Sequence, residues 1–347
     1  MAVSDRVTPT GQSGCDAPVL LVLRALGLGD LLTTVPALRG LRRAHPNHSM
    51  VVLTPRELEP IAMACGADRV EHTAGLGRLP DITDGADVAV NLHGRGPRSS
   101  RRLLERSPAM LLAHRHPDLV ATWSGPLWQR DDHETVRWCR LLQHYGIAAD
   151  PSDLALDPPP GSALVPPGTI VVHPGAGAAG RRWPVERFAA VIRRLLADGH
   201  TVALTGSDDE RPLCRDVSRR VGGDVVDLSG RTSIEQLCGV VSAADAVLCN
   251  DTGVAHLAVA FRTRSLVLFG PSSPAIWGPP AGVRLHRALW SGMSGDPHSS
   301  ALDPGLDLIG VHDVMDALHE LLSEPAQDPA SVDHDLGSEA SSHVRPG

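Results

Sequence analysis

The stretch "VLLVLRALGLGDLLTTVPAL", residues 19–38, decides the fold class. Its first part, residues 19–24, is an apolar, β-branched run typical of a buried strand, and the pattern after the turn predicts a helix. The turn between them carries Gly27, Gly29 and Asp30. A strand that leads into a helix through a short turn is the building unit of parallel α/β sheets, so we predict an α/β fold.

The same alternation continues along the chain and predicts two doubly wound parallel-sheet domains. In the first half, strands are predicted at 19–24, 49–54, 87–92 and 109–114, and the last helix at 133–146. In the second half, strands are predicted at 169–174, 201–206, 225–228, 246–250 and 265–270, with helices at 184–198, 209–221, 232–243, 253–261 and 311–322.

A proline-rich segment separates the two series and cannot propagate a helix or a central strand, so we interpret it as a linker. The polar start and the Asp-, Ser- and Pro-rich end of the chain have the composition of disordered segments. The predicted organisation is a disordered N terminus (1–18), an N-terminal domain (19–150), a linker (151–168), a C-terminal domain (169–324) and a disordered tail (325–347).

The composition limits the classes of function. The chain has 347 residues, 42% of them hydrophobic and 21% charged, which is ordinary for a globular enzyme. The net charge of −8 argues against nucleic acid as a partner, because such binding needs a clustered positive field. The 32 basic residues are all arginine, so any cationic contact to phosphate must come from arginine.

The six cysteines contain no CxxC pair, and no run of 18 apolar residues or signal-type segment is present. These observations predict a reduced, cytoplasmic protein.

The opening turn does not fit a dinucleotide site. The G-x-G-x-x-G fingerprint requires a third glycine where Leu32 stands. It also requires an acidic residue at the end of the second strand, and none is present there. Asp30 has two open interpretations. It caps the following helix, or it faces a ligand at the carboxyl edge of the sheet. A helix that begins near Thr34, with Pro36 in its first turn, would free Asp30 from capping.

The stretch "HPGAGAAGRRWPVERF", residues 173–188, predicts a phosphate site. Gly175 and Gly177 allow backbone amides to approach an anion, and Arg181 and Arg182 supply fork-shaped donors before the next helix starts. The alternative interpretation is a flexible loop with solvated arginines.

Two further stretches follow strands of the second half. In "GRTSIEQL", residues 230–237, Thr232 and Glu235 have the spacing of a capping box. Glu235 could equally accept hydrogen bonds from a ribose, by analogy with the Rossmann acid.

In "NDTGVAHLAVAFRTRSLVLFGPSSPAIWGP", residues 250–279, Asp251, Thr252 and Gly253 lead from a strand into a helix. The amides at that helix start favour a diphosphate. His256 lies one turn into the helix, where it either contacts the ligand or serves the structure.

We find no metal-ligand spacing among the 17 histidines and no G-x-S-x-G nucleophile elbow. The prediction is that no metal and no resident cofactor is required.

Over residues 19–323 the chain resembles glycosyltransferase family 9, the lipopolysaccharide heptosyltransferase-like enzymes of the GT-B fold. The resemblance rests on four motifs in order, "LGLGDLLTTVPALRGLRRAHP", "HPGAGAAGRRWPVERF", "SGRTSIEQL" and "NDTGVAHLAVAFRTRSLVLFGPSSPAIWGP". It implies two Rossmann-like domains that face a central cleft, with the acceptor bound by the N-terminal domain and the nucleotide sugar by the C-terminal one. Residues 281–305 match nothing in this pattern.

The resemblance also implies the roles of individual residues. Asp30 would be the catalytic base, with Gly27 and Gly29 supporting its turn. Donor binding would fall to Arg181, where many relatives have lysine, with Arg182, Glu235, Asp251, Thr252, Gly253 and His256, and Gly175 and Gly177 would support the loop.

The implied function is an inverting glycosyltransferase that moves a sugar from a nucleoside-diphosphate sugar to a hydroxyl of a glycan, glycolipid or small molecule. The nucleotide sugar and the acceptor are its expected partners, and it is expected to be a monomer, cytoplasmic, with the inner face of the membrane as a candidate location. The alternatives are a GT-B-type nucleotide-sugar epimerase or hydrolase, and a non-catalytic protein that binds a nucleotide sugar. The arginine-rich segment 94–102 could bind an anionic acceptor or form a solvated surface.

Overall fold

A computed structural model describes residues 17–80, 84–159 and 164–324 of the chain. The chain divides into two compact units, Met1–Leu156 and Asp157–Gly347. Most of the predicted disordered N terminus, the whole predicted tail and residues 160–163 of the predicted linker lie outside the described residues.

Unit 1 is a parallel five-stranded sheet in the order β3-β2-β1-β4-β5. Its central strand pairs with β2 on one side and β4 on the other, so that Leu21 lies opposite Val51 and Ala89. The strands are β1 (Val19–Leu23), β2 (Ser49–Thr54), β3 (Arg69–His72), β4 (Val88–Asn91) and β5 (Met110–Leu112). The helices are α1 (Leu28–Leu32), α2 (Val35–Ala44), α3 (Glu59–Ala64), α4 (Arg98–Leu104) and α5 (Glu134–His144).

Unit 2 is a parallel six-stranded sheet in the order β11-β10-β9-β6-β7-β8. The strands are β6 (Thr169–His173), β7 (Thr201–Leu204), β8 (Val226–Asp227), β9 (Ala246–Asn250), β10 (Arg264–Phe269) and β11 (His286–Trp290). The helices are α6 (Val185–Ala197), α7 (Arg211–Val221), α8 (Ile234–Ala243), α9 (Gly253–Ala260), α10 (Pro274–Trp277), α11 (Pro304–Asp307) and α12 (Val311–Ser323).

Burial explains why the central strands are continuously apolar. All five residues of β6 and of β9 are buried, because helices cover a parallel sheet on both faces. In unit 2 the core joins the sheet to α6, α7 and α12, with Trp183 and Phe188 among its largest fully buried side chains. This core fixes the carboxyl ends of the strands, where the candidate sites lie.

The two strands absent from the sequence prediction, β3 and β11, lie at sheet edges. Charged residues and histidine interrupt the apolar pattern of their sequences, "RVEH" and "HRALW", and most of their residues are partly exposed. The segment 281–305, which matched no motif of the resemblance, contains the edge strand β11, the loop after it and the start of α11.

Candidate functional site

Each sheet has one point where the strand order reverses. In unit 1 this switch point lies between β1 and β4, and in unit 2 between β6 and β9. Open α/β sheets bind ligands outside the carboxyl ends of the strands at such a point. The predicted site residues fall there: Asp30 follows β1, the glycine-rich loop follows β6, and the segment that starts with Asp251 follows β9.

Asp30 is the third residue of α1, and its side chain accepts from the N-cap amide as in a capping box, so it contributes to the cap without being the N-cap residue. The N-cap position belongs to Gly27, whose backbone N–H donates to Asp30 Oδ2 at 3.3 Å. A separate helix begins at Val35 with Pro36 in its first turn, so the predicted later start is present in addition to α1. The Asp30 side chain is 31% exposed, and a substrate hydroxyl could reach it.

Neither the backbone conformation nor the internal packing of this turn requires a glycine at position 27. Gly27 has an extended backbone with φ −74°, and a Cβ there would lie 3.6 Å from Asp30 Oδ2, which is an ordinary contact. Gly29 is an internal residue of α1. Hydrogen bonds to the carbonyl and the side chain of Asp30 hold this turn.

In unit 2 the glycine-rich loop packs tightly against its surroundings. A Cβ on Gly175 would lie 2.1 Å from the carboxylate of Glu210, and one on Gly177 would lie 2.8 Å from Arg181 Nη2. A side chain at either position would therefore displace the Glu210 carboxylate or the Arg181 guanidinium from its present place. Within the part of the chain that the structure describes, the backbone N–H of the exposed Gly177 has no hydrogen-bond acceptor, so it is available to an anion.

A buried asparagine holds this loop in place. Asn250, the last residue of β9, donates from Nδ2 to the carbonyl of Pro174 at 2.8 Å and of Gly175 at 3.3 Å. Its Oδ1 accepts from the backbone N–H of Trp183 at 3.0 Å. The amide side chain thus connects both ends of the loop across the switch point. Sequence reasoning placed Asn250 in the cluster and gave it no role.

Arg181 is held between the two loops of unit 2. Its Nη1 lies 3.3 Å from the Asp251 carbonyl and 3.7 Å from Asp251 Oδ2. Burial raises the pKa of Asp251, while Arg181 and a hydrogen bond from Ser272 oppose that shift. Among the described residues, the buried Nε of Arg181 has no partner. Asp251 therefore holds the Arg181 guanidinium in one orientation.

Arg182 has a different place from Arg181. Its Nε donates to the carbonyl of Ala176 at 2.9 Å, so one edge of its guanidinium stabilises the loop. The helix that follows begins at Val185 with Pro184 at the N-cap, one residue later than predicted.

The start of α9 faces the same edge of the sheet. Thr252 is the N-cap and its side chain makes no capping hydrogen bond, so the first amides of the helix, beginning at Gly253, remain without a side-chain cap. His256 is one turn in and half-buried, with its ring centroid 6.3 Å from that of Trp277. The predicted helix start and the position of His256 are as expected.

The predicted capping box at Thr232 and Glu235 is wrong. The N-cap of α8 is Ser233, whose Oγ accepts from the backbone N–H of Gln236 at 3.2 Å. The backbone N–H of Ser233 in turn donates to Gln236 Oε1 at 2.9 Å. Both pairs have the required spacing, and the true helix start lies one residue later than the sequence suggested. Glu235 is therefore exposed in the first turn of α8, which packs against α9, and has no capping duty.

The loop after β11, residues 291–303, belongs to the same site. The amide of Gly180 donates to the Ser299 carbonyl at 2.9 Å, and the amide of Asp303 to the Gly180 carbonyl at 3.2 Å. The amide of Gly295 donates to the Pro271 carbonyl at 3.0 Å. The segment therefore supports the loops that follow β6 and β10, a role without a local sequence signal.

Within the described ranges, no group of three or more His, Cys, Asp or Glu side chains could hold a metal ion. None of the helices in those ranges is both long and apolar enough to cross a bilayer.

Comparisons with known proteins give a consistent result. The family described as glycosyltransferase family 9 (heptosyltransferase) matches residues 133–295, somewhat under half of the chain. Lipopolysaccharide heptosyltransferase 2 of Salmonella typhimurium is 29% identical over 156 residues, which are 42% of this chain and 43% of the relative. The chain thus spans less than half of the length of that relative. The resemblance to family 9 is confirmed.

Solved structures show the fold. The family 9 glycosyltransferase of Veillonella parvula superposes with a TM-score of 0.75 at 19% identity, covering 90% of this chain and 99% of that one. ADP-heptose lipopolysaccharide heptosyltransferase II of E. coli gives a TM-score of 0.70 at 19% identity, covering 88% and 98%. The predicted GT-B fold is confirmed.

Proposed function

We propose that this chain, a glycosyltransferase family 9-like protein of the GT-B fold, is an inverting glycosyltransferase. It moves a heptose-like sugar from a nucleoside-diphosphate sugar to a hydroxyl group of a glycan or glycolipid. The observation that carries the proposal is the anion site of unit 2, where Arg181, the Gly177 amide and the start of α9 meet at one switch point. Such a site suits a diphosphate, which is the leaving group of this reaction.

The two units supply the two things that the displacement requires. The Asp30 carboxylate accepts the proton of the acceptor hydroxyl as the oxygen forms a bond to the anomeric carbon. The bond from that carbon to the diphosphate oxygen breaks, and its electron pair stays on the diphosphate. Arg181 and the helix amides stabilise that charge as it develops, and attack opposite to the leaving group inverts the configuration.

The remaining predicted residues are assigned roles around the donor. Glu235 accepts hydrogen bonds from the ribose, a role supported by its exposure and by its release from capping. Thr252, Gly253 and His256 bind the diphosphate and the sugar, supported by the uncapped start of α9. Arg182 braces the loop and contributes positive charge.

We further propose that the protein works as a cytoplasmic monomer at or near the inner membrane face and that transfer needs no metal. Arginine and backbone amides can compensate the diphosphate charge, which supports the last point. The names of the relatives direct the choice of substrate. One is a lipopolysaccharide heptosyltransferase and another is an ADP-heptose enzyme, so ADP-heptose is the first donor to test.

The test is a thermal-shift panel of nucleoside diphosphates and their sugars, followed by an assay of nucleoside-diphosphate release with and without acceptor. A ligand at 100 times its Kd should stabilise the protein by about 2.7 kcal/mol. The Arg181→Gln variant should lose that shift. Arg194→Gln, which removes an exposed arginine of α6, is the matched control and should keep it.

The outcomes separate the alternatives. Donor consumption that does not depend on an acceptor would favour a hydrolase or epimerase. Nucleotide binding without turnover in any acceptor screen would favour a binding protein. If no nucleoside diphosphate stabilised the wild type, the proposal would be wrong.

A further inference from the structure

Behind Asp30 lies a buried arginine that the proposed chemistry does not use. Arg24 follows the last residue of β1 and is 1% exposed. Its Nε donates to the Asp30 carbonyl at 2.8 Å, its Nη1 to the Leu92 carbonyl at 2.5 Å, and its Nη2 to Thr33 Oγ1 at 3.2 Å. One guanidinium therefore connects β1, α1 and the end of β4, the three segments that form the switch point of unit 1.

The same guanidinium lies between two carboxylates. Its Nη2 is 3.3 Å from Asp30 Oδ1 and 3.4 Å from Glu134 Oε1. The other oxygen of Asp30 faces the amide of Gly27 at 3.3 Å. Each oxygen of the Asp30 carboxylate thus has one donor at 3.3 Å, while nearly a third of its side chain stays exposed.

Glu134 holds the arginine from the opposite side. It is 6% exposed, pairs with Arg137 and accepts from Trp138 Nε1 at 3.1 Å. The Arg24 guanidinium also lies over the Trp138 ring, 4.9 Å from its centroid. A buried cation needs such partners, because an unpaired charge in the interior is strongly destabilising.

The charges around Asp30 balance. Arg24 and Arg137 carry two positive charges, and Asp30 and Glu134 carry two negative ones. Burial lowers the pKa of Arg24 to about 10, and Asp30 opposes that shift, so Arg24 stays charged at neutral pH. Its contacts to both carboxylates are longer than the roughly 2.7–2.9 Å of strong charge-assisted bonds. The carboxylate is therefore oriented without being tightly bound.

We propose that Arg24 is the positioning residue that aims the Asp30 carboxylate, and that Glu134 holds Arg24 for this task. The inference rests on the proposed function, in which Asp30 is the base. A misplacement of about 1 Å in a reacting group can lower a rate by about 100-fold. The effect should therefore appear in kcat, while donor binding depends on residues of unit 2.

The test compares steady-state transfer by three variants and one control variant with the wild type. Arg24→Met should lower kcat by about 100-fold and leave the donor KM within about twofold. Arg24→Lys keeps the charge and loses the fork, so it should recover part of the loss. Glu134→Gln should lower kcat less, by about three- to tenfold, because it weakens the support of Arg24 and leaves Arg24 itself in place. Arg56→Met removes an exposed arginine and should behave as wild type.

Crystal structures of the variants give a readout that does not depend on activity. In Arg24→Met the Asp30 carboxylate should leave its position beside the Gly27 amide, and in Arg24→Lys it should stay nearer to it. If Arg24→Met does not fold, Arg24→Lys and Glu134→Gln still provide both measurements.

Two results would overturn the inference. One is an unchanged Asp30 position in the variants, and the other is a kcat within about threefold of wild type while Asp30→Asn is inactive. Failure of the proposed function would look different: Asp30→Asn would then retain full turnover.

Discussion

At each of the two switch points a buried side chain bridges neighbouring strand ends, and the groups presented at the two points have opposite charges. In unit 1 the bridge is a cation, because Arg24 after β1 donates to the Leu92 carbonyl after β4. The group presented to solvent is the Asp30 carboxylate. In unit 2 they are bridged by a neutral amide, since Asn250 reaches from β9 to the loop after β6, and the group presented is the Arg181 guanidinium.

The buried counterpart of each presented group has the opposite sign. Arg24 stands behind Asp30, and Asp251 stands behind Arg181. A buried partner of opposite charge holds a functional side chain in one orientation without a covalent constraint. In the proposed function, unit 1 thereby presents a proton acceptor and unit 2 an anion site, each at the switch point of a parallel sheet.

The largest expected effect is on the presented carboxylate of unit 1. Asp30→Asn keeps the shape and removes the base, so kcat should fall by about 10³-fold. Nucleoside-diphosphate affinity, measured by calorimetry, should not change because the residues that bind it lie in unit 2. Asp118→Asn, at a side chain that is 68% exposed, is the control and should retain activity. An equal loss of kcat in both variants would show that the loss does not depend on removing the base.

The bridging asparagine of unit 2 should show the next largest effect. Asn250→Ala leaves the buried amide of Trp183 and the Pro174 carbonyl unpaired, so the free energy of unfolding should fall by about 2–3 kcal/mol. Nucleotide affinity should fall by about tenfold or more, because the glycine-rich loop loses the hydrogen bonds that hold its two ends.

Unit 1 offers a matched control for this variant. Asn91, the last residue of β4, is also fully buried, but among the described residues its side chain bonds only to the segment that follows it, including Gly94 and Ser100. Asn91→Ala should cost a similar amount of stability in urea unfolding and leave nucleotide affinity unchanged. A comparable loss of affinity in Asn91→Ala would mean that Asn250 acts through general stability.

Acid sensitivity should not distinguish the two units. Burial lowers the pKa of His114 in unit 1 and of His286 in unit 2 to about 4. The unfolded chain binds these protons near pH 6.5, so stability should fall as the pH drops from about 6.5 to about 4 and be constant above that window.

The contribution can be measured at His114, which is 3% exposed. His114→Gln should reduce the acid loss of unfolding free energy by on the order of 2 kcal/mol in urea titrations at several pH values. His312→Gln, at a largely exposed side chain, is the control and should not alter the dependence. An unchanged pH dependence in His114→Gln would contradict the prediction.

The smallest effect is expected from metal removal. If arginine and amides alone compensate the diphosphate, exhaustive chelation should change neither nucleotide affinity nor turnover. Metal analysis of the purified protein before and after chelation provides the control. A loss of activity restored by a specific metal would show that the anion site of unit 2 is incomplete as described.

Comparison of prediction with structure shows which elements a single sequence can specify. The central strands β1, β6 and β9 were predicted to within a residue or two because burial on both faces makes them continuously apolar. The edge strands β3 and β11 were missed because arginine, glutamate and histidine interrupt their apolar runs, whereas the edge strands β5 and β8 were predicted. The α8 cap was misplaced by one residue because Thr232 and Ser233 are both suitable caps with an acid or amide three residues on.

The sequence by itself determined the two βα series and the turns on which Asp30, the glycine-rich loop and the start of α9 lie, since these depend on local periodicity and turn chemistry. Only the tertiary structure decided which buried side chains hold these turns in place. Arg24 meets Glu134 across 110 positions and Asn250 meets Trp183 across 67. Burial requires that a polar side chain find partners, but the sequence around it does not say which ones, because that choice depends on how the sheet brings distant strand ends together.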